Sequence, residues 1–415
     1  MTGGDGRRES PVEEFDVVVA GGGPAGVTVA TLVAMRGHRV LLLDREVFPR
    51  YRIGEALAPS TVHEVGRLLG VTDQLAKAEF RVRRGGAFHW GAGAEPWTYA
   101  FADSPRLAGP ESYGYQVERA RFDEILLTNA KDRGVEVREG CPATGVVTSG
   151  PRVTGLRYAD ADGGEHEVRA RYVVDASGGD STLHAAVGET RVPAEAVRTV
   201  SLSGYFGLCR QPAPYDGNTL VVAFDSGWFW YTPLTGGLSS VGAVVRAELA
   251  AKVEGDREQA FAALIAECPL IAELLTDAAR VTAGQKYGRL RVTENRTYHR
   301  TAFWRPGMVL VGDAACAVDP VFASGVHLAT YSGLLAARAL TGILAGDRDE
   351  TTALTAFATA YHHEYRIYAD FLAAFHATRG DGEACRRLAA TAAGGGRTPE
   401  EAFADLAGGL PSRPA

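Results

Sequence analysis

The chain has few of the features that mark membrane-spanning, disulfide-linked or zinc-binding proteins. No apolar run in its 415 residues approaches the length of about 18 residues that a helix needs to cross a bilayer. The five cysteines lie far apart and form no CxxC pair, which indicates reduced thiols and neither a disulfide framework nor a zinc site. None of the ten histidines forms a pair with metal-ligand spacing. We therefore expect no membrane span and no bound metal.

Positive charge is also scarce. The formal net charge is −7, and no dense run of Lys and Arg offsets it locally. Proteins that track nucleic-acid phosphates or anionic membranes need clustered basic residues, so we expect neither partner. Residues 1–14 are polar and lack an apolar core, which predicts a disordered leader and not a signal peptide. Together these features predict a cytoplasmic protein.

The hexad GGGPAG, which begins at Gly21, follows the apolar run Phe15–Ala20 and precedes the apolar segment VTVATLVAMRG. A strand that turns sharply into a helix can bring backbone amides against a pyrophosphate only where side chains are missing, as at Gly21, Gly23 and Gly26. The next strand, HRVLLLD, ends at Asp44, where a carboxylate suits a ribose hydroxyl pair. An ordinary strand-turn-helix crossover with chance glycines is the alternative, but the full context favours a dinucleotide site.

The sequence pattern changes near the middle of the chain. Between about 190 and 290, short strands such as TVSLSGYFGL and GWFWYTPL alternate with Gly and Pro turns, which is typical of an antiparallel sheet. We assign residues 15–80, 110–185 and 290–345 to the dinucleotide-binding domain, 81–109 and 186–289 to a substrate-side antiparallel sheet, and 346–415 to a C-terminal helical segment.

A second strand and turn, MVLVGDAA, indicates which dinucleotide is held. It resembles the GD motif of the FAD monooxygenase superfamily, whose aspartate binds the ribityl chain and which corresponds here to Gly312 and Asp313. The resemblance also puts Arg119, in YQVERARFDEILL, near the FAD phosphates. A helical ion pair between Arg119 and Asp123 is the alternative.

Three further segments resemble the flavin-dependent halogenases, especially those that act on phenols, pyrroles or carrier-protein-tethered substrates. They are FPRYRIGEALAPST (48–61), GWFWYTPL (227–234) and DPVFASGVHLATYSGLLAAR (319–338). The resemblance implies an α/β protein with a Rossmann-type FAD-binding domain of the glutathione-reductase and p-hydroxybenzoate-hydroxylase kind. An antiparallel-sheet substrate domain is inserted into it, and helices follow at the C-terminus.

The same resemblance implies the chemistry and the partners. In the family, FADH2 and O2 form a flavin hydroperoxide that oxidises chloride or bromide, and hypohalous acid then travels through a tunnel to the substrate. We therefore expect halogenation of an electron-rich aromatic, free or tethered to a carrier protein, in secondary-metabolite biosynthesis. No second nucleotide cradle is visible in the sequence, so a separate flavin reductase is expected to supply FADH2.

The motifs and the resemblance together predict two sets of site residues. The amides of Ser324 and Gly325, at the start of a helix, are also predicted to face a halide. For Glu55, a surface ion pair is the alternative. The predicted cofactor-binding residues are Gly21, Gly23, Ala25, Gly26, Asp44, Arg45, Arg50, Glu55, Arg119, Asp313, Pro320, Ser324, Gly325 and Val326. The predicted catalytic residues are Arg83, Trp228, Trp230 and Pro233.

Trp228, Trp230 and Pro233 match the family's WxWxxP pattern, its most specific element. On a strand, residues two apart share a face, so the two indoles can separate flavin from an organic substrate. Ordinary core filling is the alternative for such residues.

One position departs from the family pattern. Where the family has a lysine in KxGGxFxWG, this chain reads RRGGAFHWG, with Arg83 in the lysine's place. Arginine stays protonated and cannot form a haloamine, but it can orient hypohalous acid by hydrogen bonding. This departure favours an alternative to halogenation, a monooxygenase or hydroxylase on the same scaffold. A non-catalytic flavoprotein partner of a carrier protein is a further alternative, which the intact FAD site weakens.

Overall fold

The apolar run before the glycine hexad forms the centre of a parallel sheet. In this computed structural model, which describes residues 12–90, 96–188, 190–211, 217–284, 286–378, 381–392 and 397–410, the first strand begins at Glu13. Most of the predicted leader, residues 1–11, lies outside the described residues.

Nineteen strands and ten α-helices make up the described chain, with a π-helical turn, Ser60–Val65, before the second helix. The strands are β1 (Glu13–Ala20), β2 (Val40–Asp44), β3 (Arg81–Arg83), β4 (Gly85–His89), β5 (Trp97–Ala100), β6 (Gly114–Gln116), β7 (Glu136–Glu139), β8 (Ala143–Ser149), β9 (Arg152–Ala159), β10 (Glu165–Asp175), β11 (Arg191–Gly207), β12 (Thr219–Phe224), β13 (Gly227–Pro233), β14 (Leu238–Arg246), β15 (Ala279–Arg280), β16 (Arg291–Arg300), β17 (Trp304–Arg305), β18 (Met308–Leu310) and β19 (Cys316–Ala317). The helices are α1 (Pro24–Ala34), α2 (Gly66–Leu69), α3 (Thr72–Lys77), α4 (Arg119–Asp132), α5 (Arg257–Ala266), α6 (Pro269–Leu274), α7 (Gly325–Leu344), α8 (Glu350–Ala377), α9 (Gly382–Ala392) and α10 (Pro399–Ala407).

The first sheet has the order expected of a dinucleotide-binding fold. Strands β7, β2, β1, β10 and β18 lie side by side in parallel, so the chain crosses over between β1 and β10. Strands β8 and β9 extend β10 as an antiparallel meander. Because helices cover the sheet, β2 is buried along its whole length. The carboxyl ends of β1, β2 and β18 bring the GGGPAG turn, Asp44 and the GD turn to one edge.

The second sheet has nine strands and differs from the prediction in three ways. It is mixed, because β4 runs parallel to β12. It includes β16 and β19, which the predicted boundary at residue 290 had placed in the FAD-binding domain. Strand β3, expected in this sheet, pairs instead with β6 in a separate two-stranded sheet. Each difference comes from pairing between strands far apart in sequence.

The two faces of the second sheet pack against different layers. Phe229 and Tyr231 of β13 point to one face and join Phe261 of α5 in a separate apolar core. Trp228 of β13 and Val244 of β14 point to the other face and join the core shared with the parallel sheet and the C-terminal helices. The second sheet thus presents the face with the tryptophans to the dinucleotide-binding part of the molecule.

Helix α7 packs closely on α1 because Gly333 has no side chain. A methyl group at Gly333 would lie 2.7 Å from the carbonyl oxygen of Ala25. The middle of α7 therefore lies against the first turn of α1, next to the glycine turn.

Candidate active site

The three glycines of the hexad form an open cradle. Gly21 has a φ of +109°, which a side chain would strain. A methyl group at Gly26 would lie 1.9 Å from the carbonyl oxygen of Gly21, so α1 can approach β1 only because Gly26 has none. Around Gly23, a methyl group would meet only Arg50 Nη2, at 3.8 Å, among the described atoms. Its backbone is therefore open to a ligand at the N-terminus of α1.

Asp44, at the end of β2, ties the glycine loop to its neighbour strand. Its Oδ2 accepts a hydrogen bond from the Gly22 amide at 2.6 Å, and its Oδ1 accepts one from the Glu46 amide at 2.8 Å. Arg45 is exposed beside it, while Ala25 is buried in the first turn of α1. Asp44 thus lies directly beside the glycine cradle.

Two buried arginines share one buried carboxylate next to the cradle. Arg50 Nη1 donates to Asp123 Oδ2 at 2.7 Å, and Arg119 donates to both Asp123 oxygens at 2.9 and 3.0 Å. Arg119 Nη1 also donates to the carbonyl oxygen of Ile53 at 2.8 Å. The helical ion pair that the sequence left open for Arg119 is therefore present, but it is buried. Glu46 also lies 3.5 Å from Arg50 and 2.9 Å from Arg52. Three guanidinium groups against two carboxylates leave a net positive charge beside the open glycine backbone, which suits a pyrophosphate.

The GD turn places a second carboxylate in the cleft. Gly312 has a φ of +58°, and Asp313 follows it with its side chain exposed to the open cleft. Although the side chain is exposed, the walls of the cleft reduce the water around the Asp313 carboxyl and raise its pKa to about 6, against the opposing charges of Arg119 and Arg52. Tyr298 Oη donates to the backbone oxygen of Asp313 and fixes the turn.

The loop before α7 holds a strained conformation. Ala323 has a φ of +54°, which costs a non-glycine residue about 1 kcal/mol or more. Asp319 Oδ1 accepts a hydrogen bond from the Val321 amide at 3.1 Å, and Pro320 is exposed beside it. Such strain persists where the surrounding structure over-determines a loop.

The first residues of α7 face open space. A methyl group at Gly325 would meet no described atom within 4 Å. Ser324 is buried, yet its Oγ has no hydrogen-bond partner among the described residues, and Val326 is buried in the first turn. The buried Oδ2 of Asp319 also lacks a partner in the described chain. An open cradle together with unmatched buried polar atoms fits a bound flavin dinucleotide.

Trp228 and Trp230 lie on the same face of β13, with ring centroids 6.2 Å apart. Trp230 Nε1 donates to Ser240 Oγ at 3.1 Å, and its ring covers Gly242, where a methyl group would lie 2.1 Å from the indole. Trp228 is 3% exposed, and its Nε1 has no partner among the described residues. The shared face that the sequence predicted is therefore observed.

We call the surface formed by Trp228 and Trp230 the tryptophan wall, and further side chains extend it. Trp90, at the end of the RRGGAFHW segment, lies with its ring 6.4 Å from Trp228 and 4.7 Å from Phe375 of α8. Pro233 is buried at the end of β13, opposite Ser239 of β14. The aromatic lining is thus contributed by both the second sheet and the C-terminal helices.

The Arg83 side chain is held by hydrogen bonds within the protein. Its Nε donates to the carbonyl oxygen of Gly85 at 2.9 Å, and its Nη2 donates to Tyr99 Oη at 2.7 Å. The guanidinium also lies 5.2 Å from the centre of the Phe101 ring, and the residue is 3% exposed. Arg83 therefore joins β3 to the β4–β5 hairpin that carries Trp90.

Glu55 lies in a buried polar cluster between the flavin-side loop and the second sheet. Tyr205 Oη donates to Glu55 Oε1 at 2.7 Å, and the Gly54 amide donates to Oε2 at 3.2 Å. Ser240 is a further hydrogen-bonding neighbour of this carboxyl. Burial raises the pKa of Glu55. The surface ion pair considered for Glu55 is wrong, because the side chain is 4% exposed and has hydroxyl partners.

A buried relay of three side chains, Ser60, His327 and Glu364, lies behind the site and was not predicted from the sequence. Ser60 Oγ lies 3.0 Å from His327 Nδ1, and His327 Nε2 lies 2.9 Å from Glu364 Oε1. All three line a cavity of about 450 Å³ between α7, α8 and the π-helical turn. The sequence offered one signal for this contact. Ser60 directly follows the GEALAP segment and His327 directly follows the ASGV segment, and both segments were predicted to border the flavin.

The described part of the chain contains no group of three or more His, Cys, Asp and Glu side chains that could hold a metal ion. Among the same residues, no helix combines the length and apolar character that spanning a bilayer requires.

Comparison with known proteins gives one consistent family. The family model described as tryptophan halogenase matches residues 16–110 and 103–390. A tryptophan 2-halogenase of Chondromyces crocatus is 31% identical over 364 residues, which cover 87% of this chain and 67% of the relative. A flavin-dependent halogenase of Penicillium aethiopicum is 32% identical over 378 residues, covering 85% and 69%.

Among solved structures, the myxobacterial chondrochloren halogenase CndH, an FAD-dependent halogenase, superposes with a TM-score of 0.85 at 44% sequence identity. The match covers 97% of this chain and 98% of that one. The Rossmann-type FAD-binding fold that the sequence predicted is thereby confirmed.

Proposed function

Since this chain belongs to the tryptophan halogenase family of flavin-dependent halogenases, we propose that its substrate is an electron-rich aromatic, phenolic or pyrrolic, free or tethered to a carrier protein. The chain is a flavin-dependent oxidoreductase of secondary metabolism that uses FADH2, O2 and a halide. The comparisons favour neither a hydroxylase nor a non-catalytic flavoprotein. The observation that carries the proposal is the tryptophan pair on the sheet face toward the FAD-binding domain.

Each part of the flavin has a proposed holder. The glycine cradle and the Arg50–Asp123–Arg119 cluster hold the pyrophosphate, Asp44 the ribose, and Asp313 the ribityl chain. Pro320 and the first turn of α7 lie along the ring, and Arg45 stays at the rim. Bound reduced FAD supplies the electrons that, with O2, oxidise a halide.

The halide subsite is proposed at Ser324 and Gly325. Their amides open α7, where the helix dipole favours an anion, and the space beside Gly325 is open. The unmatched Oγ of Ser324 adds a donor. A halide bound there lies on the flavin side of the tryptophan wall.

Trp228, Trp230 and Pro233 are proposed to keep the organic substrate away from the flavin. The indole of Trp230 is fixed by Ser240 and Gly242, so the wall is rigid. The substrate then meets the oxidised halogen and not the flavin itself. Trp90, which is partly exposed and backed by the buried Phe375, offers an aromatic face to a phenol or pyrrole ring on the far side.

Arg83 is proposed to act through position. Because its Nε and Nη2 donate to Gly85 O and Tyr99 Oη, it sets the β4–β5 hairpin and the place of Trp90.

Among the relatives, one name specifies tryptophan, one sulochrin and one chondrochloren, so the named substrates of the family differ. A separate flavin reductase supplies FADH2, and we place the reaction in the cytoplasm.

The test is direct incubation of purified protein with FAD, a flavin reductase, NADH, O2 and either bromide or chloride. Free phenols, pyrroles and indoles, and pyrroles tethered to a carrier protein, serve as substrates, and the products are identified by mass spectrometry. We expect replacement of one hydrogen by halogen in at least one phenol or pyrrole. Gain of oxygen alone across the panel, or halogenation of indoles only, would contradict the proposed substrate class. A Trp230→Ala variant with FAD affinity retained should lose halogenation.

A further inference from the structure

The reaction has a proton requirement that the residues assigned to the halide and to the tryptophan wall do not meet. FADH2, O2, a halide ion, one proton and a substrate C–H give FAD, a carbon–halogen bond and two water molecules. One proton must therefore reach the cleft in every turnover. The arginines of the site keep their protons at any ordinary pH, so they cannot supply it.

Glu55 is placed to supply it. Its carboxyl is 4% exposed and lies at the contact between the flavin-side loop and the tryptophan face of the second sheet. On that face it meets Ser240, which accepts the Trp230 indole hydrogen at 3.1 Å. It also meets Tyr205, whose hydroxyl donates at 2.7 Å.

A path of hydroxyl groups leads from Glu55 toward solvent. The Tyr205 and Tyr51 hydroxyls lie 3.5 Å apart. Tyr51 is half-buried, and the Arg291 guanidinium lies 3.7 Å from the centre of its ring. Hydroxyl groups both accept and donate a proton, so this row can return a proton to the carboxyl.

Burial shifts Glu55 toward its neutral form, against the charge that faces it. Arg119 faces it from α4 and favours the ionised form. Tyr51, Tyr205 and Tyr287 face it from the other elements. Desolvation outweighs these contacts and raises the pKa of Glu55. A neutral carboxyl has a proton to give, whereas an ionised one has none.

We propose that Glu55 is the proton donor of the halogenation, recharged from solvent through Tyr205 and Tyr51. The proton leaves the Glu55 carboxyl for the oxygen released as water, and the carboxylate takes a proton back through the two tyrosine hydroxyls. This inference rests on the halogenation reaction itself and assigns it one more residue.

The test compares Glu55→Gln with the wild type and with Glu118→Gln. Glu118 is a nearby carboxylate that accepts a hydrogen bond from Tyr287. It lies outside the path from Glu55 through Tyr205 to Tyr51, so it is the matched control. The probe is a phenol that the wild type brominates with FADH2, O2 and bromide. Bromination, peroxide release, FAD affinity and the pH dependence of the rate are measured for each protein.

We expect Glu55→Gln to brominate about 10²-fold more slowly, to release more peroxide and to bind FAD as the wild type does. The wild-type rate should fall as pH rises through the pKa of Glu55, and the variant should lack this limb. Tyr205→Phe keeps the carboxyl but interrupts the path, so it should slow bromination and enlarge the solvent isotope effect. An unchanged rate and pH profile in Glu55→Gln, or a loss explained wholly by weaker FAD binding, would overturn the proposal.

A readout without turnover separates this inference from the proposed substrate class. The infrared spectrum of wild-type protein at neutral pH should contain the C=O band of a buried protonated carboxyl that Glu55→Gln lacks and Glu118→Gln keeps. Absence of that difference contradicts the proposal even if Glu55→Gln does not fold well enough for kinetics. If the wild type brominates no phenol or pyrrole but the band is present, the substrate class fails and the neutral Glu55 stands.

Discussion

Arg83 shows how the surroundings of one side chain limit its chemistry. A guanidinium donates from several nitrogens in a fixed plane, and here two of them reach acceptors on different strands, Gly85 O and Tyr99 Oη. The sequence located this position from the RRGGAFHWG segment. It could not reveal Tyr99 as the partner, because that contact depends on how β5 pairs with β4.

The first prediction concerns Arg83→Lys. A single ammonium cannot satisfy both Gly85 O and Tyr99 Oη, so one buried polar group loses its partner. We expect the free energy of unfolding to fall by about 1–3 kcal/mol, measured by urea unfolding. Arg84→Lys, at the exposed neighbouring position, is the control and should change stability by less than about 0.5 kcal/mol. Equal stabilities for the two variants would contradict the role given to Arg83.

At the scale of elements, the tryptophan wall depends on the strand beside it. Trp230 lies flat over β14 because residue 242 has no side chain, and a methyl group there would lie 2.1 to 2.5 Å from three indole carbons. The wall is therefore a property of two strands and not of the WxWxxP pattern alone.

The second prediction follows for Gly242→Ala. The added methyl must push Trp230 away from Ser240, so we expect stability to fall by about 1–3 kcal/mol and halogenation to fall while FAD affinity is kept. Unfolding, product formation and flavin titration measure the three effects. Gly207→Ala, on β11 of the same sheet, is the matched control, because its methyl would meet nothing closer than 4.0 Å. If both variants halogenate like the wild type, Trp230 does not need its present position.

Two loops that border the flavin site are joined by the relay behind them. Ser60 follows the loop that carries Glu55, and His327 follows the loop that carries Ser324 and Gly325. Since Glu364 of α8 holds the far side of the imidazole, the relay fixes both loops against the C-terminal helices.

The third prediction is for His327→Leu. The substitution leaves Ser60 and the Glu364 carboxyl buried without their shared partner. We expect a loss of about 2–4 kcal/mol in the free energy of unfolding and weaker FAD binding, measured by urea unfolding and flavin fluorescence. His166→Leu, at an exposed position where only a surface pair with Asp160 is lost, is the control and should change both quantities little. Identical behaviour of the two variants would refute the linking role.

At the scale of the whole molecule, the sequence predicted what is local. GGGPAG, the strand before it and Asp44 lie within one strand-turn-helix-strand unit, so covalent neighbours determine their geometry. The shared face of Trp228 and Trp230 follows from the two-residue period of a strand. Both features could be inferred without knowing the rest of the chain.

What the sequence could not predict depends on distant pairing. The parallel contact of β4 with β12 turned the expected antiparallel sheet into a mixed one. Glu55 meets Tyr205, 150 residues away, and Ser60 meets His327, 267 residues away. No periodicity or motif spacing encodes such contacts, because they arise only when the two sheets and the C-terminal helices pack together.

The fourth prediction concerns the pH dependence of the apoprotein and Asp319. This carboxyl is 1% exposed, and burial raises its pKa from 3.8 to about 6. Between these values the folded state holds a proton that the unfolded state has released. The stabilisation is therefore fully present below pH 3.8 and is lost as pH rises toward 6.

An increase of about two in the pKa corresponds to about 3 kcal/mol. Through Asp319 alone, the free energy of unfolding should therefore fall by about that amount between pH 4 and 6. Urea unfolding of wild type and Asp319→Asn at several pH values between 4 and 7 measures it as the difference between the two curves. Asp313, whose pKa is also raised to about 6, acts in the same direction but is exposed, so screening reduces its share. Asp349→Asn is the control, since the pKa of Asp349 is lowered by its bonds to Thr352, and it should retain the wild-type fall. Parallel curves for wild type and Asp319→Asn would mean that Asp319 is ionised in the folded apoprotein.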